Sequence, residues 1–255
     1  MENELFELAV QASTRIPPKN VIGTKSEYRV HGALKYYFQP DDRLHEVKVN
    51  GFICDAVSED GCEITEIQTR AFSHLKKKLT SLTKDHLVTV IYPVITEKRV
   101  LVTYAESGET SIRKSPKKGK ASDIFYEIYS LRDLLLCKNL RFRIALITAD
   151  EYRVYGGTKE TRKPFQKPLS TERIPTELIK VIDLFSPADY SVFLPESLPE
   201  CFGSEIFAKA VGIPRREVSY MLNPLTWLGV IRQIGKAGNA RIYEIADQSG
   251  VSSHP

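Results

Sequence analysis

Several marks of common protein classes are missing from this 255-residue sequence. No apolar run reaches the about 18 residues that a membrane-spanning helix needs, and the N-terminus lacks the charged, apolar and small-residue regions of an export signal. We therefore expect no membrane contact and a cytoplasmic location. A GxxxxGK[ST] phosphate-binding loop is also missing, so translocation along nucleic acid would need a partner protein.

Cysteine is scarce, and its spacing excludes the usual zinc sites. The four cysteines have no CxxC or Cys/His pairing, and each has apolar neighbours. We predict reduced side chains that pack in the interior. They are Cys54, Cys62, Cys137 and Cys201. Positive charges slightly outnumber negative ones, and the formal net charge is +4. This small excess is compatible with nucleic-acid binding but does not by itself indicate it.

Hydrophobic residues make up 42% of the chain, enough for at least one buried core. A broad apolar face predicts a helix over 26–38 that begins at Ser26. Three strands follow in "HEVKV", "FICDAV" and "CEITEIQT", because the turn-forming dipeptides NG and DG separate them.

The alternation of helices and strands continues to residue 148. It predicts a mixed α/β sheet with helices packed on its faces. "HLVTVIYPV" is predicted to be a strand that Pro93 ends or frays. The other predicted elements are a helix over 71–84, a strand near 99–104, a helix near 123–136 and a strand near 141–148.

The sequence pattern divides the chain into four parts. Residues 1–150 form the first predicted domain, and the charged, proline-bearing segment 151–198 is predicted to be a linker with one helix at "PTELIKVIDLF". Residues 199–246 form a second domain, and 247–255 form a flexible tail.

The second domain has the pattern of a small winged helix-turn-helix domain. "SEIFAKAVGI" predicts a helix capped by Ser204, and Gly212 supplies a turn before the next helix. Pro224 falls inside that second helix and is expected to kink or end it. "IRQI" and "RIYEI" then predict a β-hairpin wing.

Two carboxylates lie on segments that otherwise have the pattern of buried strands. Asp55 is in "FICDAV" and Glu66 is in "CEITEIQT", and neighbouring strands can bring them together. Two close carboxylates in an apolar setting repel each other, so one is protonated unless a divalent cation lies between them. Oxygen ligands of this kind suit Mg²⁺ or Mn²⁺. Each carboxylate taken alone is also compatible with an ordinary strand residue.

The element order, "ICDAV" on the second strand and "TEIQT" on the third resemble the PD-(D/E)XK, or restriction endonuclease-like, nuclease superfamily. The resemblance implies a nuclease core in which Asp55 and Glu66 hold the metal and Glu46 adds a further carboxylate. The third-strand motif of that superfamily normally ends in lysine, whereas this sequence has Gln68 there. Gln68 would then position the attacking water.

A lysine from elsewhere is an alternative to the one missing at position 68. Lys76 and Lys78 both lie beside the apolar stripe of the predicted helix 71–84, so either stem can extend back to the carboxylates. His31 and Lys35, four residues apart on the first helix, are the other pair that can face the site. A histidine in this setting is more often a packing or surface residue.

"EIQT" and "SPKKGK" together are similar to an uncharacterised bacterial family that carries both motifs and a C-terminal winged helix. The likeness covers most of the chain. It implies a fold more directly than a function, since nuclease-like families include inactive members.

Two basic segments are candidate nucleic-acid contacts. "SIRKSPKKGK" carries five cations and no acid, and the predicted recognition helix and wing carry four more. Charge runs are also common on solvated surfaces. The candidates are Arg113, Lys114, Lys117, Lys118, Lys120, Arg215, Arg216, Lys236 and Arg241.

These features predict a DNA-directed, Mg²⁺-dependent phosphodiesterase. The alternative is a nuclease-like scaffold that binds DNA or regulates without cutting, and a third interpretation is an RNA-cleaving toxin or defence component. Duplex cutting by one site per chain often requires a homodimer. The winged helix could instead bind a protein partner.

Overall fold

The computed structural model describes residues 2–15 and 25–246. Six α-helices lie in these residues, joined by several 3₁₀ turns. They are α1 (Glu2–Arg15), α2 (Lys25–Phe38), α3 (Lys76–Leu82), α4 (Ile124–Ile128), α5 (Ser204–Val211) and α6 (Ser219–Trp227). The turns are Asp42–Leu44, Phe72–Leu75, Ala121–Asp123, Tyr129–Leu134, Pro187–Phe193 and Arg215–Glu217.

Ten strands of the described residues form two sheets. The large sheet has the order β1-β2-β3-β4-β6-β7, with β5 paired to β4, and mixes parallel and antiparallel neighbours. The small sheet has the order β8-β10-β9. The strands are β1 (His45–Val49), β2 (Phe52–Val57), β3 (Glu63–Ile67), β4 (Leu87–Tyr104), β5 (Thr110–Lys114), β6 (Leu140–Tyr155), β7 (Ser170–Leu184), β8 (Cys201–Gly203), β9 (Ile231–Ala237) and β10 (Ala240–Ile245).

Alternating side chains of β4 divide the core between two groups of helices. Val88 and Val90 join a cluster with residues of α3 and α4, whereas Ile91 joins a cluster with residues of α1 and α2. A strand places successive side chains on opposite faces, so a nearly continuous apolar strand covers both. The mixed α/β sheet with helices on its faces is therefore confirmed.

The small sheet packs on the same core as the large one. Residues of α6 belong to the cluster that includes α4, and the Tyr129 and Trp227 rings lie 5.2 Å apart. The Arg132 guanidinium lies 5.0 Å from the centre of the Trp227 ring. Tyr126 donates a hydrogen bond to Glu217 at 2.5 Å. These contacts join the C-terminal elements to α4 and to the turn Tyr129–Leu134 that follows it.

The predicted strand end at Pro93 is wrong, because β4 continues through this residue to Tyr104. The Ile91 carbonyl accepts from the Gln68 amide, so the backbone groups of Ile91 and Pro93 point toward β3. β3 ends at Ile67, and a missing N–H at Pro93 therefore costs no ladder hydrogen bond.

The helix predicted at "PTELIKVIDLF" is also wrong. All of these residues except Phe185 belong to β7, which pairs antiparallel with β6 from Ser170 opposite Val154 to Leu184 opposite Phe142. The segment is rich in β-branched residues, and pairing with β6 satisfies its backbone groups. Much of the segment predicted as a linker is thus sheet, since β6 also extends to Tyr155.

Smaller differences concern helix ends and one missed helix. Helix α1, with Phe6 buried and acidic residues in its first turn, was not predicted. The residue preceding α5 is Gly203, and Ser204 is already helical rather than its cap. Helix α6 does not end at Pro224 but continues through it to Trp227. Gly212 does end α5 in the left-handed conformation, as predicted.

The cysteines divide into two groups. All four are free; Cys54 is buried and Cys137 half-buried, but Cys62 and Cys201 are exposed, so the packing prediction is wrong for that last pair. Cys62 lies just before β3, and Cys201 is the first residue of β8, in which the next residue, Phe202, is buried instead. The predicted flexible tail over 247–255 lies outside the described residues. Within those residues, no helix is long and apolar enough to cross a membrane.

Candidate functional site

Asp55 and Glu66 lie across from each other on adjacent strands. The β2–β3 register pairs Ala56 with Thr65, and one further step places Asp55 opposite Glu66. The Asp55 Oδ2 atom accepts the Ile67 amide at 2.7 Å, so this carboxylate bonds to the backbone of β3. The predicted pairing of the two acids is therefore present in the sheet.

Asp55 has a cationic partner from α2. His31 Nε2 lies 3.1 Å from Asp55 Oδ2, and both side chains are largely covered. Burial opposes the charged form of each residue, but their mutual attraction outweighs it, which lowers the pKa of Asp55 and raises the pKa of His31. Each residue of this largely covered pair therefore favours the charged form of the other.

Glu66 is the most deeply buried acid of the site, with 4% of its side chain exposed. Its Oε2 accepts the Lys78 amine at 2.5 Å, while its Oε1 is buried without a hydrogen-bond partner among the described residues. Burial first, and the Asp55 charge second, raise the pKa of Glu66 to about 7. An unpaired buried carboxylate oxygen is costly, so this atom is a ready ligand position.

Lys78 brings an amine to Glu66 from another element. It lies on α3, 15% exposed, and its Nζ also donates to the Ile53 carbonyl at 2.6 Å. The other candidate, Lys76, pairs with Asp133 at 2.7 Å and is about half exposed. Of the two lysines considered from sequence, the structure places only Lys78 at the carboxylates.

Gln68 is turned toward the loop that follows β3. Its Nε2 donates to the Arg70 carbonyl at 2.5 Å, and its backbone amide bonds to Ile91. Within residues 2–15 and 25–246, no hydrogen bond joins the Gln68 side chain to either acid. The chain turns at this point, which directs the side chain away from the position that strand periodicity alone predicts.

Glu46 lies at the rim of the site. The neighbouring pairs His45–Ala56 and Val47–Cys54 place it opposite Asp55, and its carboxylate contacts the Lys35 amine. Its φ of 53° is in the left-handed region, which costs a non-glycine residue about 1–2 kcal/mol. With 58% of its side chain exposed, Glu46 is a peripheral carboxylate.

His31 and Lys35, which the sequence offers only as an alternative pair, both lie at the site. Their spacing of four residues places both on one face of α2, and each contacts a carboxylate of the β1–β2 hairpin. The i, i+4 spacing was the available signal. No set of three or more His, Cys, Asp or Glu side chains arranged to hold a metal occurs in the described part of the chain.

A second charged cluster was missed entirely. Glu151, which is 1% exposed, accepts Lys98 at 2.6 Å and Arg173 at 2.7 Å, and Arg153 as well. Burial opposes its ionisation, but these cations outweigh burial and lower the pKa of Glu151 to about 2. Arg153 lies two residues along β6, but Lys98 and Arg173 come from β4 and β7, and sequence spacing gives no sign of these two.

The predicted basic contacts lie in two regions. Arg113 and Lys114 are exposed on β5, and the loop 115–120 follows; Lys114 and Lys118 approach Glu97 at 3.6 and 3.4 Å. In the C-terminal part, the exposed Arg215 and Arg216 begin the turn before α6. Lys236 and Arg241 are opposite each other in the β9–β10 hairpin.

A family model described as "Domain of unknown function (DUF8091)" matches residues 28–184. The chain belongs to the DUF8091 family. The DUF8091 match contains both carboxylates, Lys78, His31 and the Glu151 cluster, and it ends at the last residue of β7.

The chain is also similar to an uncharacterized protein of Treponema pallidum (strain Nichols). The two are 32% identical over 223 residues, which cover 87% of this chain and 86% of that protein. The similarity therefore extends beyond the DUF8091 region. No solved structure matches the chain significantly.

Proposed function

We propose that this protein is a metal-dependent nuclease that acts on DNA through a restriction endonuclease-like PD-(D/E)XK core. The observation that supports it is the buried Glu66 carboxylate, with one oxygen lacking a partner, beside Asp55. This donor set fits Mg²⁺ or Mn²⁺, which accept one or two carboxylates together with backbone oxygens and waters. Asp55 and Glu66 would hold the ion.

The surrounding residues have distinct roles in this proposal. A bound Mg²⁺ would stabilise charge on the phosphodiester and lower the pKa of a water. Lys78 holds an ammonium group beside Glu66, where it stabilises negative charge on the reacting phosphate. His31 orients the Asp55 carboxylate through their hydrogen bond. Glu46 and Lys35 form the outer edge, and Gln68 shapes the loop after β3.

The second candidate is a nuclease-like scaffold that binds DNA without cleaving it. The observation that favours it is that each acid already has a cationic partner, His31 for Asp55 and Lys78 for Glu66. Such pairs neutralise both carboxylates without a metal. The Gln68 amide, engaged with Arg70, is consistent with this reading too.

The C-terminal elements support a proposed DNA-binding role as a winged helix. Helix α5, the turn at 215–217, helix α6 and the β9–β10 hairpin follow in the order of that motif. Arg215 and Arg216 precede α6, while Lys236 and Arg241 lie on the hairpin. In this proposal all four cations contact phosphates, which Arg215 and Arg216 reach by leaving their exposed partners Glu205 and Glu217.

Cleavage is tested with labelled duplex DNA, single-stranded DNA and RNA, each titrated with Mg²⁺ and Mn²⁺. We expect metal-dependent DNA cleavage that Asp55→Asn and Glu66→Gln abolish. Glu63→Gln is the matched control, because it changes an exposed acid on the same strand. Salt-sensitive DNA binding without cleavage would favour the scaffold, and RNA cleavage alone would contradict the DNA assignment.

Binding is tested by titrating duplex DNA at several salt concentrations in EDTA. Replacing Arg215 and Arg216 with alanine should weaken binding and reduce the salt slope by about 0.9 for each lost phosphate contact. The matched control replaces the exposed Lys84 and Lys138, which removes the same charge from the large-sheet region. Equal losses for both double variants would exclude a specific winged-helix contact.

A further inference from the structure

A cavity opens along the edge of β4 between the end of β3 and the start of the pairing with β5 at Arg99. β3 pairs with β4 only as far as Ile67 opposite Ile91, while β4 extends to Tyr104. The loop 115–120 returns along the vacated edge, where the Gly119 amide donates to the Ile95 carbonyl at 2.9 Å. A cavity of about 340 Å³ lies between these segments, and its wall begins three residues after Glu66.

The "EIQT" and "SPKKGK" segments therefore meet at one cavity. Thr69 comes from the first, and Lys117 and Gly119 come from the second. The sequence alone predicts that the first motif belongs to a metal site and that the second is a separate basic patch. Their convergence gives Lys117 a location distinct from Lys114 and Lys118, which approach Glu97.

The cavity is strongly cationic. Its lining includes Arg70, Lys98, Lys117 and Arg173. Arg70 has other contacts and is left out of the charge count. Lys98, Lys117, Arg173 and the adjoining Arg153 carry four positive charges, and Asp123 and Glu151 carry two negative ones, which leaves an excess of two positive charges. The Asp123 carboxylate also accepts a hydrogen bond from the Lys120 backbone amide at 2.9 Å, so one of its oxygens stabilises the turn before α4.

Glu151 fixes two of the cations in place. Lys98 is 14% exposed and Arg173 is 26% exposed, and both bond to this buried carboxylate. Arg153 shares the same acid, so one negative charge serves three cations. Preorganised, partly buried cations bind an anion at a smaller ordering cost than free surface lysines do.

Gly119 allows the loop to approach β4 closely. A Cβ at this position would lie 2.8 Å from Val94 Cγ1 and 2.9 Å from the Ile95 carbonyl oxygen. Only glycine fits there without movement of β4 or the loop. The close approach keeps Lys117, two residues before Gly119, in the cavity wall.

We propose that this cavity binds the terminal phosphate of a nucleotide, either a free nucleotide or the phosphorylated end of a strand. A phosphate monoester carries nearly two negative charges at neutral pH, which matches the excess charge, whereas an internal diester carries one. Val94, Ile95 and Pro93 give an apolar wall for the attached sugar, and the volume suits a small organic ligand. The choice of a nucleotide rests on the proposed function; the preference for a doubly charged phosphate does not.

The test measures binding in EDTA, so cleavage cannot contribute to the result. The probes are labelled single-stranded and duplex oligonucleotides with a 5′-phosphate, a 3′-phosphate or hydroxyl ends, and the competitors are adenosine 5′-monophosphate and inorganic phosphate. Lys117→Ala is compared with Lys77→Ala, which removes an exposed lysine of α3 outside the cavity.

We expect a phosphorylated end to bind about tenfold or more tightly than a hydroxyl end, as for a charge-assisted contact, and Lys117→Ala to remove this preference. Lys77→Ala should keep it. Strong competition by the mononucleotide would identify the free ligand as the source, and weak competition would identify the strand end. Equal binding of all ends with no mononucleotide binding would overturn the proposal. If the protein prefers phosphorylated ends but cleaves no nucleic acid, the nuclease proposal is rejected and the proposal of a phosphate site stands.

Discussion

The Lys78 amine lies 2.5 Å from Glu66 Oε2, although the two residues are twelve apart and belong to different elements. A Glu-x-Lys strand motif would place its lysine two residues after the acid. Here helix α3 brings an amine to the same carboxylate from outside the strand. In the proposed nuclease, this tertiary contact would supply the group that the strand motif lacks.

In the proposed nuclease, replacing Lys78 with alanine should lower DNA cleavage by about 100-fold or more, because the change would remove a preorganised cation beside the reacting phosphate. The rate is measured under single-turnover conditions at saturating Mg²⁺. Lys76→Ala is the comparison on the same helix, and it should cleave normally since Lys76 pairs with Asp133. Similar losses in both variants would show a general effect of helix charge instead.

Glu66 should make stability fall as pH rises when no metal is present. The pKa of Glu66 is about 7 in the folded protein and near 4.3 in the unfolded chain. The contribution of protonated Glu66 to stability is therefore fully present below about pH 4, and it is lost as the pH rises through 7. Between pH 5 and 8 the unfolding free energy of the wild type in EDTA should fall by about 2–3 kcal/mol more than that of Glu66→Gln. Urea unfolding at each pH measures this, and parallel pH profiles would contradict it.

Added Mg²⁺ should reverse this loss in the wild type at pH 8, because an ion that binds only the folded state stabilises it. Glu66→Gln should gain little from the ion. Unchanged wild-type stability at millimolar Mg²⁺ would count against a metal site at these carboxylates.

Glu151 should have the opposite pH dependence. Its folded pKa of about 2 lies below its unfolded value, so its contribution is present above about pH 4 and lost as pH falls toward 2. Glu151→Gln should destabilise the protein by about 3 kcal/mol at pH 7, and the difference should shrink in acid. Glu177→Gln, on the exposed face of β7, should change little at either pH. If the difference in unfolding free energy between wild type and Glu151→Gln is as large at pH 2.5 as at pH 7, the ionic explanation is excluded.

Gly119→Ala should destabilise the protein by about 1–3 kcal/mol, because its Cβ meets a backbone oxygen and Val94 within 3 Å. Gly235→Ala is the matched control: nothing lies within 4 Å of its Cβ position, so it should stay within about 0.5 kcal/mol. Thermal unfolding compares the two variants. Equal stability would mean that the loop moves freely away from β4.

The local elements near the site were predictable from sequence. The three strands β1, β2 and β3 occur as predicted, because NG and DG turns set the hairpin register and alternation sets the faces. The same register places Asp55 opposite Glu66. The turn at Gly212 was predictable for a similar reason, since its backbone conformation favours glycine.

Longer-range features needed the tertiary structure. Pro93 lies inside a strand because no partner strand needs its N–H, and "PTELIKVIDLF" is a strand because β6 is present to pair with it. Neither partner is visible in a local window. Tertiary pairing therefore overrides the local signals of proline and helical spacing.

By itself, the sequence determined the alternation of helices and strands, the hairpin register and the two acids of the site, because these depend on residues close along the chain. Only the tertiary structure decided that Lys78 joins Glu66, that His31 joins Asp55 and that Glu151 collects three cations. Long side chains from separate elements make these contacts, and their meeting depends on how the elements pack. The charge environment of each acid, and so its pKa, follows from that packing.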